Sequence, residues 1–177
     1  MPKYVEVIIE RCMGCKSCEI ACAVAHSSSK DLQTLIRDGE KPGYRISVEA
    51  YGRNAVPINC RHCEEAACVL ACPTGAVHRD APGEPVIVDQ ERCIGCRMCV
   101  QACPFGVITV NPGGKGVLKC DLCIERLAAG EQPACVAACP TGALIFIEEQ
   151  EVTREKRKKT AMQLVIAQQK GINEAGV

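Results

Sequence analysis

Four cysteines within one short stretch constrain this chain more than any other feature. Cys93, Cys96 and Cys99 are separated by two residues each, and Cys103 follows after three more and precedes a proline. This C-x2-C-x2-C-x3-C-P spacing is one that binds iron-sulfur clusters. Gly95 gives the loop the backbone freedom that is needed to turn three thiolates toward one point. The stretch therefore predicts ligands for a [4Fe-4S] cluster.

The last cysteine of this stretch is expected to serve a second cluster. A helix that begins near Cys99 would carry Cys103 about 6 Å along its axis, away from the first three thiols. One such stretch therefore implies two clusters.

Three further groups of four cysteines repeat the pattern with altered spacing. In the first group Ala23 stands where the proline would be, so the helix is expected to continue through His26. In the second group the middle gap widens to four residues, and in the fourth it widens to eleven. The four groups use all 16 cysteines of the chain. They are Cys12, Cys15, Cys18 and Cys22; Cys60, Cys63, Cys68 and Cys72; Cys93, Cys96, Cys99 and Cys103; and Cys120, Cys123, Cys135 and Cys139.

So many cysteines can be explained by disulfides, by zinc or by iron-sulfur clusters. A secreted disulfide framework is disfavoured because residues 1–10 lead straight into a strand-like alternation with no apolar signal core. Zinc sites bring two separated C-x2-C pairs together, whereas the first and third groups crowd three thiols into one loop. Iron-sulfur clusters are the favoured interpretation, and a zinc-held structural scaffold stays as the alternative of another class.

Composition limits the classes of partner and the cellular location that we expect. With 3 Tyr, 2 Phe and no Trp among 177 residues, the clusters are expected to fill an interior that lacks aromatic side chains. The 21 basic and 21 acidic residues give no basic excess, and few rings could stack on bases, so nucleic acid is not an expected partner. No segment approaches the 18 apolar residues of a membrane span. We therefore expect a cytoplasmic protein without direct membrane insertion, peripheral to a membrane only through a partner.

Short helices and strands are predicted around the cysteine groups, which indicates an α+β fold. Strands are predicted at residues 45–49, 86–88 and 107–110, and a short helix after the Ser27–Ser29 caps. The segment between Cys22 and Cys60 is expected to cover a core or to contact a partner. A helix that begins at Thr153 and ends at Gly171 is predicted for the C-terminal region.

The residues that adjoin the cysteines carry weaker signals. Because no cluster ligand is missing, the three histidines are expected at the surface or in hydrogen bonds. Basic residues next to ligand cysteines have two interpretations, a solvated charge or a charge that favours cluster reduction or marks a docking site. The histidines are His26, His62 and His78, and the basic residues are Lys16, Arg61, Arg97 and Lys119.

Spacing does not decide which groups share clusters, but a resemblance to a known family does. Between Val5 and about Glu149 the chain resembles the four-cluster ferredoxin-type electron-transfer subunits that accompany molybdopterin oxidoreductases, formate-linked hydrogenases and carbon monoxide dehydrogenases. Its segments 12–19, 21–27 and 57–63 most closely resemble the carbon monoxide dehydrogenase electron-transfer subunit, the CooF type. Ala23 departs from the proline of the general two-cluster pattern.

This resemblance implies that the first group pairs with the fourth and the second with the third. Each fourth cysteine then crosses to the neighbouring cluster. The implied ligand sets are Cys12, Cys15, Cys18 and Cys139 for cluster 1; Cys120, Cys123, Cys135 and Cys22 for cluster 2; Cys60, Cys63, Cys68 and Cys103 for cluster 3; and Cys93, Cys96, Cys99 and Cys72 for cluster 4.

The same resemblance implies the domain organisation and the function. Residues 1–26 with 113–150 would form one ferredoxin-like module, and residues 57–112 the other. Residues 27–56 would be an insertion, and residues 151–177 a C-terminal helix and tail. The implied function is the relay of single electrons from a nickel-iron carbon monoxide dehydrogenase to a hydrogenase or a flavin-dependent oxidoreductase, with no substrate-converting site. The alternative is the iron-sulfur subunit of a molybdopterin or formate-linked oxidoreductase.

Overall fold

The fold is a series of short strands and short helices joined by loops that carry the cysteines. A computed structural model describes residues 3–148, 154, 157–158 and 160–166. The strands are β1 (Lys3–Val7), β2 (Ile46–Tyr51), β3 (Asn54–Asn59), β4 (Val77–His78), β5 (Ile87–Val88), β6 (Thr109–Val110), β7 (Val117–Leu118) and β8 (Leu144–Glu148). The α-helices within residues 3–148 are α1 (Ser17–Ala25), α2 (Leu32–Arg37), α3 (Ala67–Leu70), α4 (Met98–Ala102), α5 (Ile124–Ala128) and α6 (Ala134–Ala137), and a 3-10 helix spans Ile9–Arg11.

The strands pair as antiparallel ribbons of two. The pairs are β1 with β8, β2 with β3, β4 with β5 and β6 with β7. The first ribbon joins distant parts of the chain, since Val5 lies opposite Phe146. This mixture of short helices and strands confirms the predicted α+β class.

Buried side chains form two hydrophobic clusters, and cysteines belong to both. One cluster draws on the beginning and the end of the described chain, and the other on its middle. The first contains Val5, Cys18, Cys22, Ile46, Val48, Leu122, Cys135 and Leu144. The second contains Ala66, Ala76, Val77, Val86, Cys93, Cys99, Ile108 and Val117. The largest fully buried side chains are mainly valines rather than aromatic rings.

The lengths of α1 and α4 follow from the residue after the last cysteine of each group. Helix α1 has nine residues and runs past Cys22 to Ala25, as predicted from Ala23. Helix α4 has five residues and ends immediately before Cys103, which precedes a proline. A proline has no N–H and its ring clashes with the preceding turn, so it ends the helix.

The segment between Cys22 and Cys60 packs on the first hydrophobic cluster. Strands β2 and β3 form a hairpin that places Ile46 and Val48 in that cluster. The backbone N–H of Val48 donates to the Glu19 carboxylate of α1 at 2.6 Å. These contacts show that the hairpin covers the core. The sequence predicted β2 but not β3.

The predicted cap of α2 differs from the structure. Asp31, rather than a residue of Ser27–Ser29, caps α2, because its carboxylate accepts from the backbone N–H of Thr34 at 2.8 Å. Ser27 is instead buried, and its hydroxyl donates to the carbonyl of Val24 at the end of α1.

The C-terminal region is described only in part. Residues 160–166 are helical, in agreement with the predicted helix, and their side chains are exposed. The predicted first and last residues of this helix, Thr153 and Gly171, lie outside the described residues. Within the described part of the chain, no helix has both the length and the apolar character needed to cross a bilayer.

Candidate metal centres

The first and third cysteine groups share one loop geometry. Gly14 and Gly95 occupy equivalent positions, and both have a φ of 72°. Lys16 and Arg97 follow two residues later with φ of 59° and 63°, and each precedes the first residue of a helix. Two left-handed residues close together curl the loop, and glycine tolerates this conformation best. The sequence-based argument for Gly95 is therefore confirmed.

The second and fourth groups share another loop geometry. His62 and Leu122 occupy equivalent positions between paired cysteines, with φ of 47° and 59°. The backbone N–H of each donates to the preceding cysteine sulfur at 3.4 Å, on Cys60 and Cys120 respectively. Hydrogen bonds of this kind stabilise a thiolate and tune a cluster that it holds.

The thiols of Cys12, Cys15, Cys18 and Cys139 line one small cavity. Burial raises the pKa of Cys18 to about 11, and the neighbouring Cys139 thiol contributes to that rise. The Cys139 sulfur also lies 3.7 Å from the Thr141 hydroxyl. Three thiols of the first group are therefore brought together with the last thiol of the fourth group.

A second set of thiols consists of Cys22 and the first three cysteines of the fourth group. Burial raises the pKa of Cys135 to about 12, with contributions from the neighbouring Cys22, Cys123 and Cys18 thiols. Burial likewise raises the pKa of Cys120 well above its usual range, and Cys60, Cys135 and Cys22 add to the rise. This set lies beside Cys18 of the first cavity and beside Cys60.

The remaining eight cysteines form two sets of the same kind. Four of them, Cys60, Cys63, Cys68 and Cys103, line one cavity. In the other set, burial raises the pKa of Cys99, and the neighbouring thiols of Cys72, Cys93 and Cys96 raise it further. The Cys72 sulfur accepts from the backbone N–H of Val77 at 3.4 Å.

The donor sets fit [4Fe-4S] clusters. All 16 cysteines are free thiols, and four thiols converge at each of four places. Backbone N–H groups already point at the sulfurs of Cys22, Cys60, Cys72 and Cys120. Because the ligand form is the thiolate and burial raises several thiol pKa values, cluster loading is expected to release protons.

Charged side chains surround the set that contains Cys22. His26 donates from Nε2 to Asp121 Oδ1 at 3.1 Å and from Nδ1 to the Cys22 carbonyl at 2.7 Å. Arg45 donates to the other Asp121 oxygen at 2.7 Å. Burial opposes the charge on His26, but its hydrogen bonds to Asp121, Cys123 and Cys22 outweigh burial and raise the imidazole pKa. The donor atoms of His26, Asp121 and Cys123 lie within 4.8 Å of one another, so this network adjoins the thiol of Cys123.

Two buried polar side chains line the cavity of Cys60, Cys63, Cys68 and Cys103. Lys119 is 4% exposed, and its Nζ donates to the carbonyls of Val86 and Cys120. His62 is 9% exposed, and its Nδ1 accepts from the backbone N–H of Val86 at 3.0 Å. Of the two sequence-based interpretations of Lys119, the solvated charge is wrong.

Sequence reasoning missed three features of these centres. It identified no role for Glu19 or Asp121, and it did not predict that Lys119 is buried. A signal for Lys119 was available, because Val117 lies two residues earlier in a short strand and successive residues alternate between faces. The roles of Glu19 and Asp121 depend on contacts across 29 and 76 residues of sequence, with Val48 and Arg45, which no local pattern reveals.

Comparison with known proteins gives two family matches. Residues 53–149 match the 4Fe-4S dicluster domain, and residues 9–25 match a 4Fe-4S binding domain. Together these matches include all 16 cysteines. The cofactors are therefore four [4Fe-4S] clusters.

Three curated relatives extend over most of the chain. An iron-sulfur protein of Rhodospirillum rubrum is 43% identical, over 84% of this chain and 86% of its own length. The thiosulfate reductase electron transfer subunit PhsB of Salmonella typhi is 44% identical, over 82% of this chain and 76% of its own. The electron transport protein HydN of Escherichia coli K12 is 38% identical, over 92% of this chain and 99% of its own.

Proposed function

Because the chain belongs to the 4Fe-4S dicluster family of electron-transfer subunits, we propose that it carries single electrons between a catalytic redox subunit and a second oxidoreductase. Electron transfer, rather than conversion of a substrate, is also the role stated in the names of its relatives. When bound, each [4Fe-4S] cluster accepts and releases one electron. The observation that carries the proposal is the convergence of 16 free thiols into four sets of four.

We assign the ligands to the four sets that the resemblance implied. Support comes from the two cavities that are each lined by four cysteines. In the other two sets, support comes from the effect of neighbouring thiols on the pKa of Cys99 and of Cys135. The two hydrophobic clusters support a division into two modules, one built from the first and fourth groups and the other from the second and third.

The order of the sets follows from which thiols neighbour one another. The Cys18 thiol of the first set contributes to the raised pKa of Cys135 in the second set. The Cys60 thiol of the third set contributes in the same way to the raised pKa of Cys120 in the second set. Cys99 of the fourth set and Cys103 of the third stand at the two ends of α4. We therefore propose the linear order of first, second, third and fourth set.

The terminal sets are the expected points of exchange with partners. Cys15 of the first set and Cys96 of the fourth are exposed thiols. Met13 and Ile94, which occupy equivalent positions beside them, are 67% and 65% exposed. Exposed apolar side chains beside a cluster loop are suited to a protein contact that excludes water.

Two kinds of catalytic redox partner are candidates. The resemblance favours a nickel-iron carbon monoxide dehydrogenase, with a hydrogenase or flavin-dependent oxidoreductase as acceptor. The Salmonella relative favours the catalytic subunit of a reductase, in line with the alternative of a molybdopterin or formate-linked enzyme, and a reductase would accept electrons from this protein. We place the exchange in the cytoplasm, where thiols stay reduced. Anaerobic capture from the host separates the two candidates: a captured dehydrogenase reduces this protein when its substrate is added, whereas a captured reductase oxidises the reduced protein.

Serine variants test the ligand assignment. Cys139→Ser is expected to alter the same electron paramagnetic resonance signal as Cys12→Ser, although the two positions are distant in sequence. Cys135→Ser is the matched control, because it belongs to the same cysteine group as Cys139 and is assigned to another cluster. If Cys139→Ser and Cys135→Ser alter one common signal, the pairing of the first and fourth groups is wrong.

A further inference from the structure

The ammonium group of Lys119 is a buried charge without an acidic partner among the described residues. Its hydrogen-bond acceptors are two backbone carbonyls, those of Val86 and Cys120. Lys119 lines the same cavity as the four cysteines of the third set. A buried charge is screened little by water or salt, so its effect on a neighbouring group is large.

The hydrogen bonds of His62 identify its tautomer. Because Nδ1 accepts from the backbone N–H of Val86, the imidazole proton is on Nε2. The Nε2 atom is buried and has no hydrogen-bond partner among the described protein atoms, and the side chain lines the same cavity as Lys119. A buried donor without a partner is expensive, and a sulfur atom of a bound cluster would satisfy it.

The other three sites have no equivalent pair in the described chain. Lys16 at the first set is 58% exposed, and Arg97 at the fourth set is also exposed. At the second set, the charges of His26 and Arg45 face the Asp121 carboxylate, and their side chains are 13% and 18% exposed. Counter-charge and solvent both weaken the field of a cation.

We propose that Lys119 and His62 raise the reduction potential of the site formed by Cys60, Cys63, Cys68 and Cys103 above those of the other three. Reduction adds one negative charge, which the Lys119 ammonium stabilises and to which the His62 Nε2–H donates a hydrogen bond. Net charge, hydrogen bonds to sulfur and exposure set cluster potentials. The third site then holds the first electron that enters the chain. This inference rests on the ligand assignment proposed above.

Matched variants can be made at both Lys119 and His62. Lys119→Met keeps the length of the side chain and removes its charge, and Lys119→Gln keeps a polar end as well. His62→Leu places at this position the residue that Leu122 provides in the fourth group, with a similar left-handed backbone. Lys115→Met is the control, because it removes the same charge from an exposed position nearby.

Anaerobic redox titration followed by electron paramagnetic resonance tests the proposal. Iron content is measured first, and Cys63→Ser identifies the signal of the third site. In the wild type this signal is expected to appear first as the potential is lowered. Lys119→Met is expected to reduce the equilibrium constant for reduction of the third site at least tenfold, which lowers its potential by 59 mV for one electron. His62→Leu is expected to reduce it several-fold, and Lys115→Met to leave it unchanged.

The failures of the two proposals can be distinguished. If Cys60→Ser and Cys103→Ser alter different signals, the ligand assignment is wrong, whatever Lys119→Met does. If they alter one signal but Lys119→Met shifts it no more than Lys115→Met, the role of Lys119 is wrong. If neither Lys119 variant retains four clusters, His62→Leu decides, and an unchanged potential of the third site overturns the inference.

Discussion

Replacement of Glu19 by alanine is expected to release the β2–β3 hairpin from α1. Glu19 is 9% exposed, and its carboxylate accepts from the backbone N–H of Val48 at 2.6 Å. Val48 lies opposite Pro57 in the hairpin, but its N–H points to Glu19 and not to β3. The Glu19 carboxylate is therefore the acceptor that satisfies the Val48 N–H, and no other described group takes its place.

The size of the effect follows from the kind of hydrogen bond that is lost. A hydrogen bond to a charged group contributes about 1.5–3 kcal/mol, and a buried donor left unsatisfied carries a similar penalty. Since 1.4 kcal/mol corresponds to a factor of ten, opening of the hairpin should become about 10- to 150-fold more frequent. The global fold can persist, because Ile46 and Val48 still fill the first hydrophobic cluster.

Hydrogen exchange on the anaerobic, cluster-loaded protein measures this opening without unfolding it. Amides of residues 46–59 in Glu19→Ala should exchange faster by the stated factor, whereas those of β4 and β5 should not change. Glu49→Ala is the matched control, because Glu49 lies on the same strand with an exposed side chain. Equal exchange of the hairpin in the two variants would refute the reasoning.

Two further predictions concern the metal and the pH. Removal of the clusters by chelation is expected to leave a largely disordered chain, because metal binding supplies much of the folding free energy; a cooperative thermal transition of the apo-protein in circular dichroism would contradict this. Burial and the charge of Lys119 lower the pKa of His62 to about 3, so the unfolded state binds more protons below pH 6.5 and stability falls as the pH falls. Between pH 7 and pH 5 the wild type should lose about 2 kcal/mol more of its free energy of unfolding than His62→Leu, if the unfolded pKa is about 6.5. Anaerobic denaturant titrations of both proteins measure the difference, and an equal pH dependence would show that His62 is not held neutral.

The sequence predicts best what depends on neighbours along the chain. Ala23 in place of proline predicted that α1 would continue past Cys22, and it does. Gly95 predicted a curled loop, and its φ of 72° agrees. The alternation from Val117 indicated that Lys119 is buried, but nothing local indicated its hydrogen-bond acceptor, the carbonyl of Val86, which lies 33 residues away in sequence. The helix cap at Asp31 was missed for another reason, since three serines nearby offered equally plausible caps.

The four cysteine sets are nearly alike in ligands, so differences between them must come from the residues between the cysteines. His62 and Leu122 show how this works, because both adopt a left-handed backbone and donate an N–H to the preceding sulfur. The shared backbone builds the same thiolate cradle twice. The side chains differ, since a buried imidazole lines the cavity of one set and a buried apolar side chain occupies the equivalent position beside the other. Arg61 and Asp121, one residue earlier, differ in the sign of their charge. A chain of this kind can therefore adjust the potential of one cluster while the ligand geometry of all four is preserved.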